Sequence, residues 1–255
     1  MNETQSDWYA QMTRKLQVTG KSDRTQESYL RAVHQLVDHF HTGPEEISEN
    51  QLEDYFLFRR NDSHWAPKTL RLSYSGIKFY YLYVLSRQWK LFSILRAQKE
   101  SKLPTVLSRQ EVARILGEVT MFHNYAFLST VYACGLRLQE ALNLQVGDIA
   151  ATRMVLDVRA GKGRKDRSVP LPQDTLQLLR RYWATHRNPL LIFPALGRGR
   201  TQGPQSRIPM NRASVQGAFQ RARKKADITK PHVSLHTLRH NAEFPIMPSC
   251  LRNSF

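Results

Sequence analysis

Three separated segments of this sequence carry arginine, lysine and histidine at spacings suited to holding an anion. The first is Ala133-Cys134-Gly135-Leu136-Arg137-Leu138-Gln139-Glu140-Ala141. Glu140 lies three residues after Arg137, one turn along the same helical face, where its carboxylate can hold the guanidinium. The second is Gly161-Lys162-Gly163-Arg164-Lys165-Asp166-Arg167-Ser168-Val169-Pro170-Leu171. Glycines on both sides of Lys162 let the backbone approach a ligand and leave the ammonium free to move. This is not a nucleotide-phosphate loop, because no Gly-Lys-Ser/Thr leads into a helix. The third is Ser234-Leu235-His236-Thr237-Leu238-Arg239-His240, in which His236 and Arg239 share a helical face.

Each segment alone has a plainer reading: an exposed arginine at a helix start, a basic hairpin tip, a cationic helix. His232, His236 and His240 recur every four residues and so admit a metal site. No cysteine or carboxylate cluster completes such a site, and arginine-flanked histidines make a poor cation trap. No metal and no cofactor are therefore expected.

The elements that must position these groups fall into two sets. Residues 1–100 are expected to be nearly all helix. Apolar positions Tyr29, Ala32, Val33, Leu36, Val37 and Phe40 repeat at helical spacing, and Gly43-Pro44 punctuates the end. Ser48 with Gln51 forms a capping box for a helix carrying Leu52, Tyr55, Phe56 and Phe58. A further helix is predicted from Ala66-Pro67 through Leu70, Tyr74, Ile77, Tyr81 and Leu85, with Lys68, Arg71, Lys78 and Arg87 on its other face. Such a face can lie against phosphates, although any one of these side chains is equally a solvated cation.

The charged run Lys99–Val106, containing Pro104, predicts an extended linker, which places a domain boundary near residue 103. Beyond it, Ser108 and Glu111 repeat the capping-box spacing ahead of Val112, Ile115 and Leu116. An apolar helix through Tyr125, Phe127, Leu128, Val131 and Tyr132 should end near Gly135, with another beginning at Arg137. Met154–Val158 and Ser168–Leu171 read as short strands, and Thr175–Trp183 and Arg212–Ala226 as helices. Between those helices, Gly197–Pro209 reads as a flexible basic loop.

The chain has 255 residues, with 38 Lys and Arg against 21 Asp and Glu, a net charge of +17. Such an excess favours an anionic partner, and from Arg198 to Arg239 only Asp227 opposes a run of basic residues that includes Arg212, Arg221 and Lys224. No stretch reaches the roughly 18 apolar residues of a spanning helix, so no membrane partner is expected. The polar N-terminus is not a signal peptide, and two cysteines make no disulfide framework. These features together predict a cytoplasmic protein.

In this order and at these separations, Gly-Leu-Arg-x-x-Glu-Ala, Gly-Lys-Gly-x-x-Asp-Arg-x-Val-Pro-Leu and His-x-Leu-Arg-His resemble the tyrosine recombinases of the Xer and phage-integrase type. Integron integrases are similar too. The resemblance runs from about residue 5 to residue 240. It implies a mainly α chain: an N-terminal helical SAM-like core-binding domain (residues 1–102) and an α+β catalytic domain with a small β-sheet (103–255). It also implies a double-stranded DNA recombination site as partner, gripped by both domains as a C-shaped clamp, with self-association or association with an intact recombinase on DNA. In such enzymes a tyrosine attacks a DNA phosphodiester and leaves a 3′-phosphotyrosyl link, which conserves the bond for rejoining. By this resemblance Arg137 and Arg239 hold the phosphate as guanidinium forks, and Glu140 orients Arg137. Lys162 protonates the leaving 5′-oxygen, and His236 handles the tyrosine proton. Lys68, Arg71, Lys78, Arg164, Lys165, Arg212, Arg221 and Lys224 are the expected DNA contacts.

The pattern departs from the family after His240. Asn241–Phe255 contains Pro245 and Pro248, which break a helix, and the last tyrosine of the sequence is Tyr182. The catalytic domain is therefore expected to be incomplete after about residue 240, through a frameshift or truncation near codon 241, and the chain to bind DNA without cleaving it. Two other readings stay open: a DNA-binding regulator or inhibitor of an intact recombinase, and a basic nucleic-acid protein without sequence preference.

Overall fold

A computed structural model describes residues 3–94, 105–159, 166–197, 199 and 201–240. By contacts the chain divides into two compact units, Met1–Lys102 and Leu103–Phe255.

The first unit is helical: α1 (Glu3–Val18), α2 (Asp23–Phe40), α3 (Glu49–Asn61), α4 (Pro67–Phe79) and the short α5 (Leu91–Ile94). Its core gathers one apolar stripe from each long helix, including Met12 and Leu16, Val33 and Leu36, Leu52 and Tyr55, and Ile77. The Ser48 hydroxyl accepts from the Gln51 backbone N–H while Gln51 reaches back to the Ser48 N–H, closing the expected capping box. Gly20 follows the end of α1 and Gly43-Pro44 the end of α2. Gly76 marks instead where two helices touch, since α2 and α4 pack closely there. A methyl group at Gly76 would lie 2.9 Å from the Tyr29 Cα and 3.1 Å from the Ala32 Cβ. Those atoms belong to a helix and cannot swing away. Gly76→Ala should therefore destabilise this unit by about 2 kcal/mol, read as an earlier urea midpoint in the tryptophan fluorescence of the full chain. An unchanged midpoint would show that α2 and α4 separate freely.

The expected helix through Leu85 is shorter than predicted. It gives way at Tyr80–Val84 to a π-helical turn, closed by the Leu85 N–H donating to the Tyr80 carbonyl. The wider turn buries Tyr80 and Tyr81 together, and the Tyr81 hydroxyl donates to the Pro44 carbonyl at 2.7 Å. Arg87 consequently lies beyond the helix and donates to the Glu45 carbonyl.

The second unit contains α6 (Arg109–Gly117), α7 (Phe122–Cys134), α8 (Leu138–Leu142), α9 (Gln173–Ala184), α10 (Arg212–Lys225) and α11 (Leu235–His240). An antiparallel sheet runs β1 (Ile149–Ala150), β2 (Val155–Val158), β3 (Arg167–Pro170), with Leu156 facing Val169 and Val158 facing Arg167. The chain is thus mainly α with a small sheet. Helix α7 is buried on all sides from Asn124 to Cys134, as an apolar sequence without a polar stripe requires. The remaining helices pack around it.

The segment 197–209, expected to be a flexible loop, is tied down where it is described. Buried Asn188 donates through Nδ2 to the Gly203 and Ser206 carbonyls at 2.7 and 2.8 Å, and its Oδ1 accepts from the Leu190 and Leu191 N–H groups. One buried amide satisfies backbone groups on both sides, which composition alone does not reveal. Among the described residues no helix is long and apolar enough to cross a membrane.

Candidate phosphate-binding site

Gly135, in the left-handed conformation at φ 59°, ends α7 and turns the chain so that Arg137 stands at the N-terminal cap of α8. One turn on, Glu140 is nearly buried, its side chain 6% exposed. Its Oε2 accepts from the Arg137 backbone N–H at 2.7 Å, and its Oε1 from Arg137 Nη1 at 2.6 Å. A third partner comes from far away in sequence. Arg167, first residue of β3, spans the same carboxylate with Nη1 to Oε1 at 2.8 Å and Nη2 to Oε2 at 2.9 Å. Burial alone would push the Glu140 carboxyl upward. Hydrogen bonds from Arg167, from the Arg137 backbone and from the Arg137 guanidinium reverse this and hold it at about 2.

Arg239 is carried by α11. Leu235 and Leu238 are buried and seat that short helix against α7, leaving His236 exposed and Arg239 half-buried. The Arg239 guanidinium is destabilised as a cation, first by burial and then by the charge of Arg137, with Arg167 adding to the repulsion and Glu140 opposing it. Arg137, Arg167 and Arg239 therefore share one electrostatic neighbourhood with the Glu140 carboxylate. Arg239 Nη1 is buried and has no hydrogen-bond partner among the described residues. A buried guanidinium nitrogen left unpaired beside two other cations is costly without an anion to receive it.

The loop that feeds α11 is fixed by two basic side chains. Arg223 donates to the carbonyls of Ile228 at 3.0 Å and Lys230 at 2.9 Å. Lys230 in turn reaches Glu111 Oε2 at 2.7 Å and the Val106 carbonyl at 3.1 Å. Both cations belong to the basic run that the sequence assigns to a polyanion, so the run is less available than its composition implies. Glu111, distant in sequence, opposes it alongside Asp227.

Of the predicted site residues, Arg137, Glu140 and Arg239 come together, with His236 three residues before Arg239 on α11. Lys162, Arg164 and Lys165 lie outside the described residues. Lys68 and Arg71 are exposed on α4, and Arg212, Arg221 and Lys224 on α10, whose buried face is Val215, Ala218, Phe219 and Ala222. Lys78 is half-buried and donates to the Phe92 carbonyl at 3.0 Å, an internal use that the helical pattern did not predict. Arg167 is the residue missed. It stands inside the glycine–lysine motif, but nothing local in the sequence joins it to Glu140. The histidine repeat is not one face either: His232 precedes α11 and has a positive φ of 59°. Among the described residues no group of three or more His, Cys, Asp or Glu is placed to hold a metal.

Residues 105–246 match the phage integrase family, and residues 8–91 match the N-terminal SAM-like domain of phage integrases. The chain belongs to the phage integrase family. It is 35% identical to the y4qK protein of Sinorhizobium fredii, provisionally assigned as an integrase/recombinase, over 90% of this chain and 72% of that one. It is 28% identical to tyrosine recombinase XerD of Pseudomonas putida, over 87% and 76% of the two chains. Among solved structures, a lambda integrase (residues 75–356) dimer bound to a COC′ core site superposes with a TM-score of 0.73 at 16% identity, covering 92% of this chain and 86% of that one. That likeness concerns the fold. In this integrase-family chain the fold of the second unit, with its other helices packed around α7, brings Arg137 and Arg167 onto the Glu140 carboxylate and Arg239 into their field.

Proposed function

We propose that this chain acts in site-specific DNA recombination, binding a double-stranded recombination site and gripping one backbone phosphate between Arg137 and Arg239. The carrying observation is the buried Arg239 Nη1, unpartnered among the described residues and in the field of Arg137. A phosphodiester oxygen supplies what that nitrogen lacks, and a planar guanidinium meets two phosphate oxygens at once. In this reading no metal is needed, because the guanidiniums carry the positive charge. In the cleavage chemistry of recombinases that carry the nucleophile, the position of Lys162 is that of the general acid to the leaving 5′-oxygen and the position of His236 that of the group handling the proton of the attacking hydroxyl. The exposed cations of α4 and α10, with Arg164 and Lys165, hold flanking phosphates. Copies of the chain, or one copy with an intact recombinase, pair on inverted half-sites. Such a protein works where the DNA is, in the cytoplasm.

We further propose that these 255 residues bind and do not cut. Ten tyrosines occur in the sequence, none after Tyr182. The three in the second unit, Tyr125, Tyr132 and Tyr182, are all buried. Burial pushes the Tyr182 phenol well above its ordinary range, the opposite of what a nucleophile needs. This favours a second reading, a regulator or inhibitor that occupies recombination sites without cleaving them. Incubation with a panel of nicked inverted-repeat duplexes tests both. The expected result is sequence-dependent retention in native gels with no covalent band after denaturation. A protein–DNA adduct would overturn the non-cleaving assignment, and uniform affinity for all duplexes would overturn site recognition altogether.

A further inference from the structure

The phosphate-gripping reading leaves one residue of the cluster without a task. Arg167 turns its two-nitrogen fork, the edge that would grip an anion, onto Glu140. Its effect must pass through that carboxylate.

A carboxylate offers about four lone-pair sites. Glu140 fills four: two from Arg167, one from the Arg137 backbone N–H and one from Arg137 Nη1. Arg137 thereby spends one guanidinium nitrogen on Glu140 and keeps Nη2 and Nε uncommitted to it. Its side chain remains 36% exposed. Were Arg167 absent, two acceptor sites on a nearly buried carboxylate would fall open. Arg137, already bonded to that carboxylate, can fill them, and the favoured geometry is the parallel two-nitrogen fork. That closure would neutralise Arg137 and use the edge of the guanidinium that a phosphate needs.

We propose that Arg167 is a positioning residue: by saturating Glu140 it limits Arg137 to a one-nitrogen tether, leaving the rest of that guanidinium for the scissile phosphate. Glu140 is then an orienting group that Arg167 prevents from becoming a competitor. The inference rests on the reading of Arg137 and Arg239 as the phosphate grip.

Inorganic phosphate tests it, followed by side-chain N–H resonances of protein labelled with ¹⁵N-arginine. Wild type should bind phosphate at Arg137 and Arg239. Arg167→Ala should bind about tenfold more weakly, the size of one charge-assisted hydrogen bond. Arg167→Lys keeps the charge but can occupy only one oxygen, so it should stay about threefold weaker than wild type. Combining Arg167→Ala with Glu140→Gln removes the competitor and should restore affinity to within about threefold of wild type. A purely structural role for Arg167 predicts the reverse, with the double variant no better than the single one. That result overturns the inference, as does wild-type affinity in Arg167→Ala or in Arg167→Lys. If Arg167→Ala fails to fold, Arg167→Lys and the double variant still decide. Absence of any phosphate response at Arg137 and Arg239 in wild type would overturn the functional reading and this inference together.

Discussion

Replacing Arg239 with methionine should make the second unit more stable while removing its affinity for phosphate. The side chain is half-buried, holds one nitrogen without a partner among the described residues, and sits in the field of two other guanidiniums. Methionine fills a similar volume with no desolvation cost and no like-charge repulsion. Comparable replacements of unsatisfied buried charge gain about 1–2 kcal/mol. The same change removes half of the proposed phosphate grip, so inorganic phosphate should bind at least about tenfold more weakly. Thermal melts with and without phosphate measure both effects. Wild type should melt earlier than the variant in plain buffer and should gain stability on adding phosphate, while the variant gains none. A variant that is less stable and still stabilised by phosphate would place the anion elsewhere.

The second large effect is expected at Glu140. Its carboxyl is held at about 2 against an ordinary value of 4.5. A depressed carboxylate contributes stability that is complete above its unfolded value and is lost as pH falls through the folded one. The window is therefore pH 4.5 down to about 2. Glu140→Gln should cost about 2–3 kcal/mol at neutral pH, because Arg137 and Arg167 lose their shared counter-charge in a nearly buried place. The cost should shrink on acidification through that window, as wild type loses what the variant never had. Urea unfolding at several pH values checks both statements. A difference between the two proteins that stays constant from pH 7 to pH 3 would show that Glu140 is not the paired group the geometry makes it.

What the sequence disclosed was local. Capping boxes at Ser48 and Ser108, the end of α7 at Gly135 and the start of α8 beyond Arg137 all depend on residues within a few positions of one another. The apolar stripes of α2, α9 and α10 are legible for the same reason. What stayed hidden was long-range. Arg167 meets Glu140 across 27 residues, and Lys230 meets Glu111 across 119. Neither pairing leaves a periodic trace, because charged residues scatter over any basic chain. The π-turn at Tyr80 escaped notice because its apolar spacing matches a continuing helix until the rings must pack. Asn188 leaves no periodic trace either, since an amide's value as a clamp depends on which carbonyls converge on it. The resemblance to recombinases supplied roles for Arg137 and Arg239, but no role for Arg167.

Arg223 holds the approach to α11 through backbone carbonyls, which carry no net charge. Dissolved ions weaken attraction between full charges far more than they weaken a donor aimed at a neutral oxygen. In the proposed DNA-binding reading, raising sodium chloride should strip DNA from the exposed cations of α4 and α10. It should also weaken the Lys230–Glu111 ion pair, while the Arg223 bonds and buried Leu235 and Leu238 keep α11 seated. Ionic strength thus becomes a dial that acts on the outer cations and spares the seat of α11, so a DNA complex dissociated by salt should return unchanged on dilution.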